Sequence, residues 1–234
     1  MILSGPAAGR KRRLFLKPEE HPNNCSFMPT PNSSVIFLIG YRCTGKTTVA
    51  RLLAGKIGWD WIDADSLLEA RYRKSIRQIF AEEGEAGFRD KEEQIFAELC
   101  QLQRCVVATG GGVILRDINR QRMRSAGKVV WLTADAQTIW QRLQADPATA
   151  EQRPPLTVGG LAEIEETLKM REPLYRGCAD LIISTVGCST EEIAHQIADT
   201  CIIHVAKSWS PHQARPTKCD SAKKELGPLP PNGA

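Results

Sequence analysis

The chain has 234 residues, 42% hydrophobic, 25% charged and 6% aromatic, which is the profile of a soluble globular protein and excludes collagen-like and low-complexity classes. Lys and Arg number 31 against 27 Asp and Glu, a net +4, but residues 1–34 carry +3 and residues 205–234 carry +3, leaving 35–204 at −2. The basic excess therefore marks the ends of the chain and not a nucleic-acid surface on its centre; the short Arg10-Lys11-Arg12-Arg13 cluster has little aromatic interleaving.

Both ends are also rich in proline, with Pro18, Pro22, Pro29 and Pro31 at the front and Pro211, Pro216, Pro228, Pro230 and Pro231 at the back. They read as disordered tails, 1–34 and 205–234, around one domain at 35–204. A domain of about 170 residues buries roughly 70% of its unfolded surface and needs no disulfide framework. The eight cysteines are scattered without a C-x-x-C pair, so reduced thiols and a cytoplasmic location are expected. Apolar runs such as Val35 to Ile39 fall far short of the ~18 residues of a membrane span.

In chain order, short β-branched runs alternate with helical patterns. Strands are expected at Val35–Ile39, Trp59–Ile62, Cys105–Ala108, Val129–Leu132 and Leu181–Ser184. Helices are expected at Lys46–Ile57, Leu67–Arg73, Ile76–Glu83, Glu85–Leu102, Asp117–Ala126, Ala136–Leu143, Glu163–Arg171 and Thr190–Ile203. Strands separated by helices require parallel crossovers, hence an α/β fold with helices on both faces of the sheet. Ser66-x-x-Glu69, Ser75-x-x-Gln78 and Ser189-x-x-Glu192 each have the form of a capping box, and Gly84 and Gly127 stand where helices should stop. Pro173 should stop the Glu163 helix at about Arg171. Residues 146–160 have no periodicity and form a loop of lid-like length.

Gly40-Tyr-Arg-Cys-Thr-Gly45-Lys46-Thr47 matches G-x-x-x-x-G-K-[ST] between a strand and a helix, the context this motif requires. Such a loop aims backbone N–H groups and a helix N-terminus at phosphate oxygens, while Lys46 neutralises their charge and the Thr47 hydroxyl suits Mg²⁺. A chance Gly-rich turn is the bland alternative, and the flanking elements argue against it. Asp63-Ala64-Asp65 ends the second strand, where α/β folds place ligands. An extended D-x-D points both carboxylates to one side, one for the metal shell and one to take a hydroxyl proton; simple helix capping by Asp65 or Ser66 is the competing reading. Thr109-Gly110-Gly111-Gly112 follows the third strand and allows close ligand approach, although a tight turn alone would also use a glycine or two. Arg89 and Arg171, if they converge, specify an anionic substrate, and sequence spacing does not show whether they do.

Together these segments resemble the shikimate kinase family. The resemblance rests on the phosphate loop, Asp63-x-Asp65, Ser75-Ile76-x-x-Ile79-Phe80, Gly84-Glu85-x-x-Phe88-Arg89-x-x-Glu92, Gly110-Gly111-Gly112, Arg153-Pro154 and Arg171-Glu172-Pro173-Leu174-Tyr175, in that order over residues 35–200. It implies a three-layer α/β/α P-loop kinase fold with a five-stranded parallel sheet and a mobile lid. The implied reaction transfers the γ-phosphoryl group of ATP to the 3-hydroxyl of shikimate, with Mg²⁺ as cofactor, in a chain that acts as a monomer without nucleic acid or membrane. ATP contacts then fall on Gly40, Cys43, Thr44, Gly45, Lys46, Thr47, Thr48 and the lid residue Arg153. The Mg²⁺ shell falls on Thr47 and Asp63, shikimate contacts on Asp65, Arg89, Gly111, Gly112 and Arg171, and the catalytic roles on Lys46, Asp65 and Arg153. Contacts to the base are weakly marked, with Arg142 and the loop Val186 to Ser189 as candidates. A gluconate kinase and a non-catalytic relative are the competing readings; the D-x-D, Phe88-Arg89 and triple-glycine segments favour shikimate, and retention of every charged group favours catalysis.

Overall fold

The computed structural model describes residues 35–145 and 160–206, with side chains to residue 200. Five strands form one parallel sheet in the order β2-β3-β1-β4-β5, where β1 is Val35–Ile39, β2 Asp60–Asp63, β3 Cys105–Ala108, β4 Gly127–Thr133 and β5 Leu181–Ser184. The helices are α1 (Lys46–Ile57), α2 (Ala64–Tyr72), α3 (Ile76–Leu99), α4 (Asp117–Ala126), α5 (Ala136–Ala145), α6 (Gly160–Cys178) and α7 (Thr190–Ala206).

Strand periodicity builds the three layers. Along β1, Phe37 and Ile39 face one side and pack with Phe88, Phe96, Val107, Trp131 and Tyr175, whereas Ile36 and Leu38 face the other with Val49, Leu53, Val130, Leu132, Ile193 and Ile197. A third apolar cluster, Tyr41, Ala134, Ile139, Leu143 and Ile164, ties the loop after β1 to α5 and α6. Register then decides where ligands go. Leu38 pairs with Ala108, and Ala108 with Asp63, so the carboxyl ends of β1, β3 and β2 finish side by side. The phosphate loop, the triple-glycine turn and Asp63 are thus delivered to one edge of the sheet.

Several local expectations need correction. The strand expected at Trp59–Ile62 runs one residue later and ends at Asp63, and α2 starts at once at Ala64. D-x-D is therefore not extended: Asp63 sits at φ −94° and ψ 119°, and Asp65 lies in the first helical turn. The cap of α2 is neither Asp65 nor Ser66 but Asp63, whose Oδ1 accepts from Ser66 N at 3.0 Å. Glu69 consequently caps its neighbour, accepting from Ile76 N at 2.8 Å. Ser75 and Gln78 do form a reciprocal capping box, as do Ser189 and Glu192, and the bonds from Ser189 hold the Glu192 carboxyl below its usual range. Gly84 breaks α3 into two helices with φ 69° and ψ −173°, a conformation that favours glycine.

Pro173 does not stop its helix. α6 continues to Cys178 because the turn after the proline is tied down by tertiary contacts. Tyr175 is 1% exposed, stacks on Trp131 with ring centres 5.5 Å apart, and donates through its hydroxyl to Gly111 O at 2.5 Å. Pro173 itself is exposed.

Candidate active site

The phosphate loop is held in a shape that few side chains tolerate. Gly40 has φ 142°, and a side-chain carbon there would collide with Leu132 O; Gly45 has φ 82° at the N-cap of α1. Cys43 adopts φ 59°, one of three positive-φ non-glycine residues among those described. Within the loop, Thr44 Oγ1 and Lys46 Nζ both donate to Tyr41 O, at 2.8 and 2.7 Å, and both side chains are buried. Thr47 and Thr48, at the start of α1, are exposed. An N-terminus with exposed hydroxyls, a buried ammonium and main-chain N–H groups arranged around a tight loop is a polyphosphate cradle.

Thr47 Oγ1 donates to Asp63 Oδ2 at 2.6 Å. The donor set is a hydroxyl beside a carboxylate, both hard oxygen ligands, which fits Mg²⁺ bound jointly with a nucleotide. No group of three or more His, Cys, Asp or Glu suited to a metal occurs among the described residues. Asp65, half-buried in the first turn of α2, lies two residues beyond this pair.

The other side of the site is assembled from distant segments. Arg89 on α3 is 9% exposed and is gripped by two acids of its own helix: Nη1 donates to Glu92 Oε2 at 2.6 Å, and Nη2 to Glu85 Oε1 at 3.2 Å. Its guanidinium occupies the space where a side chain on Gly112 would begin. Gly111 is less tightly confined: a side-chain carbon there would stand 3.3 Å from Gly40 O and 3.5 Å from Arg42 N. Arg171 Nη1 and the Tyr175 hydroxyl both donate to Gly111 O, at 3.3 and 2.5 Å. Arg89 and Arg171 thus meet the same turn, from α3 and α6 respectively.

Of the residues singled out in the sequence, Gly40, Cys43, Thr44, Gly45, Lys46, Thr47, Thr48 and Asp63 lie in or against one loop, and Arg89, Gly111, Gly112 and Arg171 adjoin it through Gly111. Arg153 and nearly all of the 146–160 lid lie outside the described residues. Sequence reasoning gave no role to Glu85, Glu92 or Tyr175. The spacing of the two acids, four before and three after Arg89 on a helix, was the available signal. Arg142 spans the nucleotide end: it donates to Cys43 O at 3.1 Å, Thr185 Oγ1 at 2.9 Å and Thr185 O at 2.8 Å, joining the phosphate loop to the segment before α7.

A P-loop beside a glycine turn flanked by guanidinium groups defines a small-molecule phosphotransferase whose acceptor is an anion. Comparison with known proteins gives the family. A family model described as shikimate kinase matches residues 42–202. The shikimate kinase of Rhodopirellula baltica is 42% identical over 163 residues, 69% of this chain and 87% of the relative. That of Syntrophus aciditrophicus is 45% identical over 171 residues, 69% of this chain and 88% of the relative. Among solved structures, shikimate kinase from Acinetobacter baumannii in complex with shikimate superposes with a TM-score of 0.69 at 34% identity, covering 73% of this chain and 94% of that one. The chain belongs to the shikimate kinase family, and its activity is the ATP-dependent phosphorylation of shikimate.

Proposed function

We propose the following assignment of roles for phosphoryl transfer from ATP to the 3-hydroxyl of shikimate. The single observation that supports it most strongly is the contact of Gly111 with both halves of the site, Gly40 and Arg42 on the nucleotide side and Arg171 on the other. ATP phosphates lie in the loop from Gly40 to Thr48, where Lys46 leaves Tyr41 O for β/γ oxygens; Arg153 in the lid adds charge when it closes. Arg142, its plane fixed by three hydrogen bonds, borders the adenine together with Val186 to Ser189. Thr47 and Asp63 would hold Mg²⁺, which when bound would neutralise phosphate charge.

Shikimate lies between Arg89 and Arg171, with its carboxylate on the guanidinium groups and its ring against Gly111 and Gly112. Asp65 orients the 3-hydroxyl and accepts its proton as that oxygen bonds to the γ-phosphorus and the bond to the ADP oxygen breaks. The domain spans 35–204, and the chain works as a cytoplasmic monomer. Among the described residues, no helix is long and apolar enough to cross a membrane. Coupled ADP release is the test. Turnover should require shikimate and be absent with gluconate, and Asp65→Asn should abolish turnover while ATP still binds; unchanged turnover would remove Asp65 from the base role.

A further inference from the structure

Arg116 has no part in the roles assigned above. It stands between the short turn Val113–Leu115, which directly follows Gly112, and the start of α4. From there its side chain reaches α3: Nη1 donates to Glu93 Oε2 at 2.6 Å and Nη2 to Asp90 Oδ1 at 2.5 Å. Asp90 directly follows Arg89, and Glu93 directly follows Glu92, so one guanidinium bridges the segment of the glycine turn to the stretch of helix that carries Arg89. The near end of that bridge is itself fixed by α4, where Asn119 Nδ2 donates to Val113 O at 3.3 Å and Arg120 Nη1 to Ile114 O at 2.5 Å.

The acids around Arg89 show what the bridge does. Three carboxylates occupy positions that meet Arg89 on a helix: Glu85 four residues before it, Glu92 three after and Glu93 four after. Glu92 takes Nη1, and Glu85 takes Nε and Nη2. Glu93 is drawn elsewhere, with Oε2 accepting from Arg116 and Oε1 from Arg122 at 3.4 Å. A guanidinium has five N–H donors. With three of them bonded among the described residues, one N–H on each Nη of Arg89 is left, a pair that suits the two oxygens of a carboxylate. A third acid from the same helix would compete for that pair, and would add negative charge where an anion has to bind.

We propose that Arg116 is a positioning residue for the acceptor site: it holds Glu93 off Arg89 and so keeps two donors of Arg89 open for the acid substrate. Arg116 acts through Glu93 and does not touch the substrate. Its two ion pairs are partly exposed, 31% at Arg116 and 64% at Asp90, so they contribute little to stability, and their effect lies in which acids Arg89 meets. Arg122, on the longer bond, is the lesser restraint. The inference rests on the assignment of Arg89 to shikimate.

The test uses the full chain with ATP and shikimate varied separately, for Arg116→Met, Glu93→Gln, the two combined and, as a control on the site itself, Arg89→Lys. Arg116→Met should raise the KM for shikimate about tenfold, the scale of a lost hydrogen bond to a charged group, and leave the KM for ATP unchanged. Glu93→Gln alone should stay near wild type. Combined with Arg116→Met it should bring the KM for shikimate back, although the ion pair remains broken and the melting temperature does not recover. A merely structural Arg116 gives no such rescue. An unchanged KM for shikimate in Arg116→Met, an equal rise for ATP, or no recovery in the combined variant overturns the proposal. If Arg116→Met does not fold, as judged by thermal melting, Arg116→Gln is measured in its place under the same criteria. If Arg89→Lys raises the KM for shikimate and Arg116→Met does not, only Arg116 is wrong; if neither does, the assignment of Arg89 has failed.

Discussion

The two halves of this active site are built by different means. The proposed nucleotide half is one continuous segment, residues 40–48, fixed by glycines at φ 142° and 82° and by side chains folded back onto Tyr41 O. The proposed acceptor half draws Asp65 from α2, Arg89 from α3, Gly111 and Gly112 from the turn after β3, and Arg171 from α6, so its charged groups come from separate elements. Local sequence determines the first; only the packed sheet assembles the second. Damage to the two halves should therefore read out differently, as lost turnover in one and weakened shikimate binding in the other.

Lys46→Met should produce the largest effect. Removing the one ammonium of the phosphate loop takes away charge stabilisation of the transferring group, worth about 10²–10³ in turnover where single donors have been removed from such sites. The KM for shikimate should change little, and a comparable loss in shikimate affinity would mean that the halves are not separable.

Gly112→Ala attacks the other half without touching a charged group. The added methyl carbon occupies the place of the Arg89 guanidinium, which is held to Glu92 at 2.6 Å and cannot swing away without breaking that bond. The KM for shikimate should rise about tenfold, the scale of one displaced charge-assisted contact, with ATP binding intact. Wild-type kinetics in Gly112→Ala would show that Arg89 yields freely and is not positioned by this contact.

Tyr175→Phe probes the strut between α6 and the glycine turn. The ring and its stacking on Trp131 remain, while Gly111 O loses its 2.5 Å donor and, among the described residues, keeps Arg171 at 3.3 Å. A buried acceptor left short of a partner costs about 1–3 kcal/mol, so chemical denaturation should show a loss in that range. A rise of a few-fold in the KM for shikimate should accompany it, since Arg171 then pulls alone on the turn; lost stability with no change in that KM would make the strut purely structural.

Legibility in the sequence follows the same division. The phosphate loop and the bounds of β1, β3, β5, α1 and α4 could be read directly, because motif, periodicity and caps all sit within a few neighbouring residues; β4, expected at Val129–Leu132, runs Gly127–Thr133. Asp63 and Asp65 were read as an extended pair, and that failed because alternation holds only while the strand lasts; β2 ends at Asp63, which turns to cap α2 and to accept from Thr47. Pro173 was read as a stop, and that failed because Tyr175, two residues later, is anchored to Gly111, 64 residues earlier in the chain. Convergence of Arg89 and Arg171 had no local signal at all. It is a property of strand order, which places β3 between β2 and β1 and so sets the glycine turn beside the phosphate loop.

The smallest effect concerns the one side chain that the nucleotide half tolerates against backbone preference. Cys43 sits at φ 59°, where a Cβ crowds the following carbonyl and the left-handed conformation costs roughly 1–2 kcal/mol for an ordinary L-residue. Cys43→Gly removes that strain but also loosens the unfolded chain, which takes back about 0.4–1 kcal/mol. Cys43→Ala removes the thiol while keeping the Cβ and its strain. Comparing the two variants cancels the loss of the thiol, and Cys43→Gly should be the more stable by about 1 kcal/mol, or about 2–4 °C in melting temperature. ATP turnover should be the same in both, because Arg142 reaches Cys43 through its main-chain oxygen. If Cys43→Ala proves the more stable, the loop relaxes at this position when strain is relieved elsewhere, and the nucleotide half is less rigidly set by its own backbone than its glycines imply.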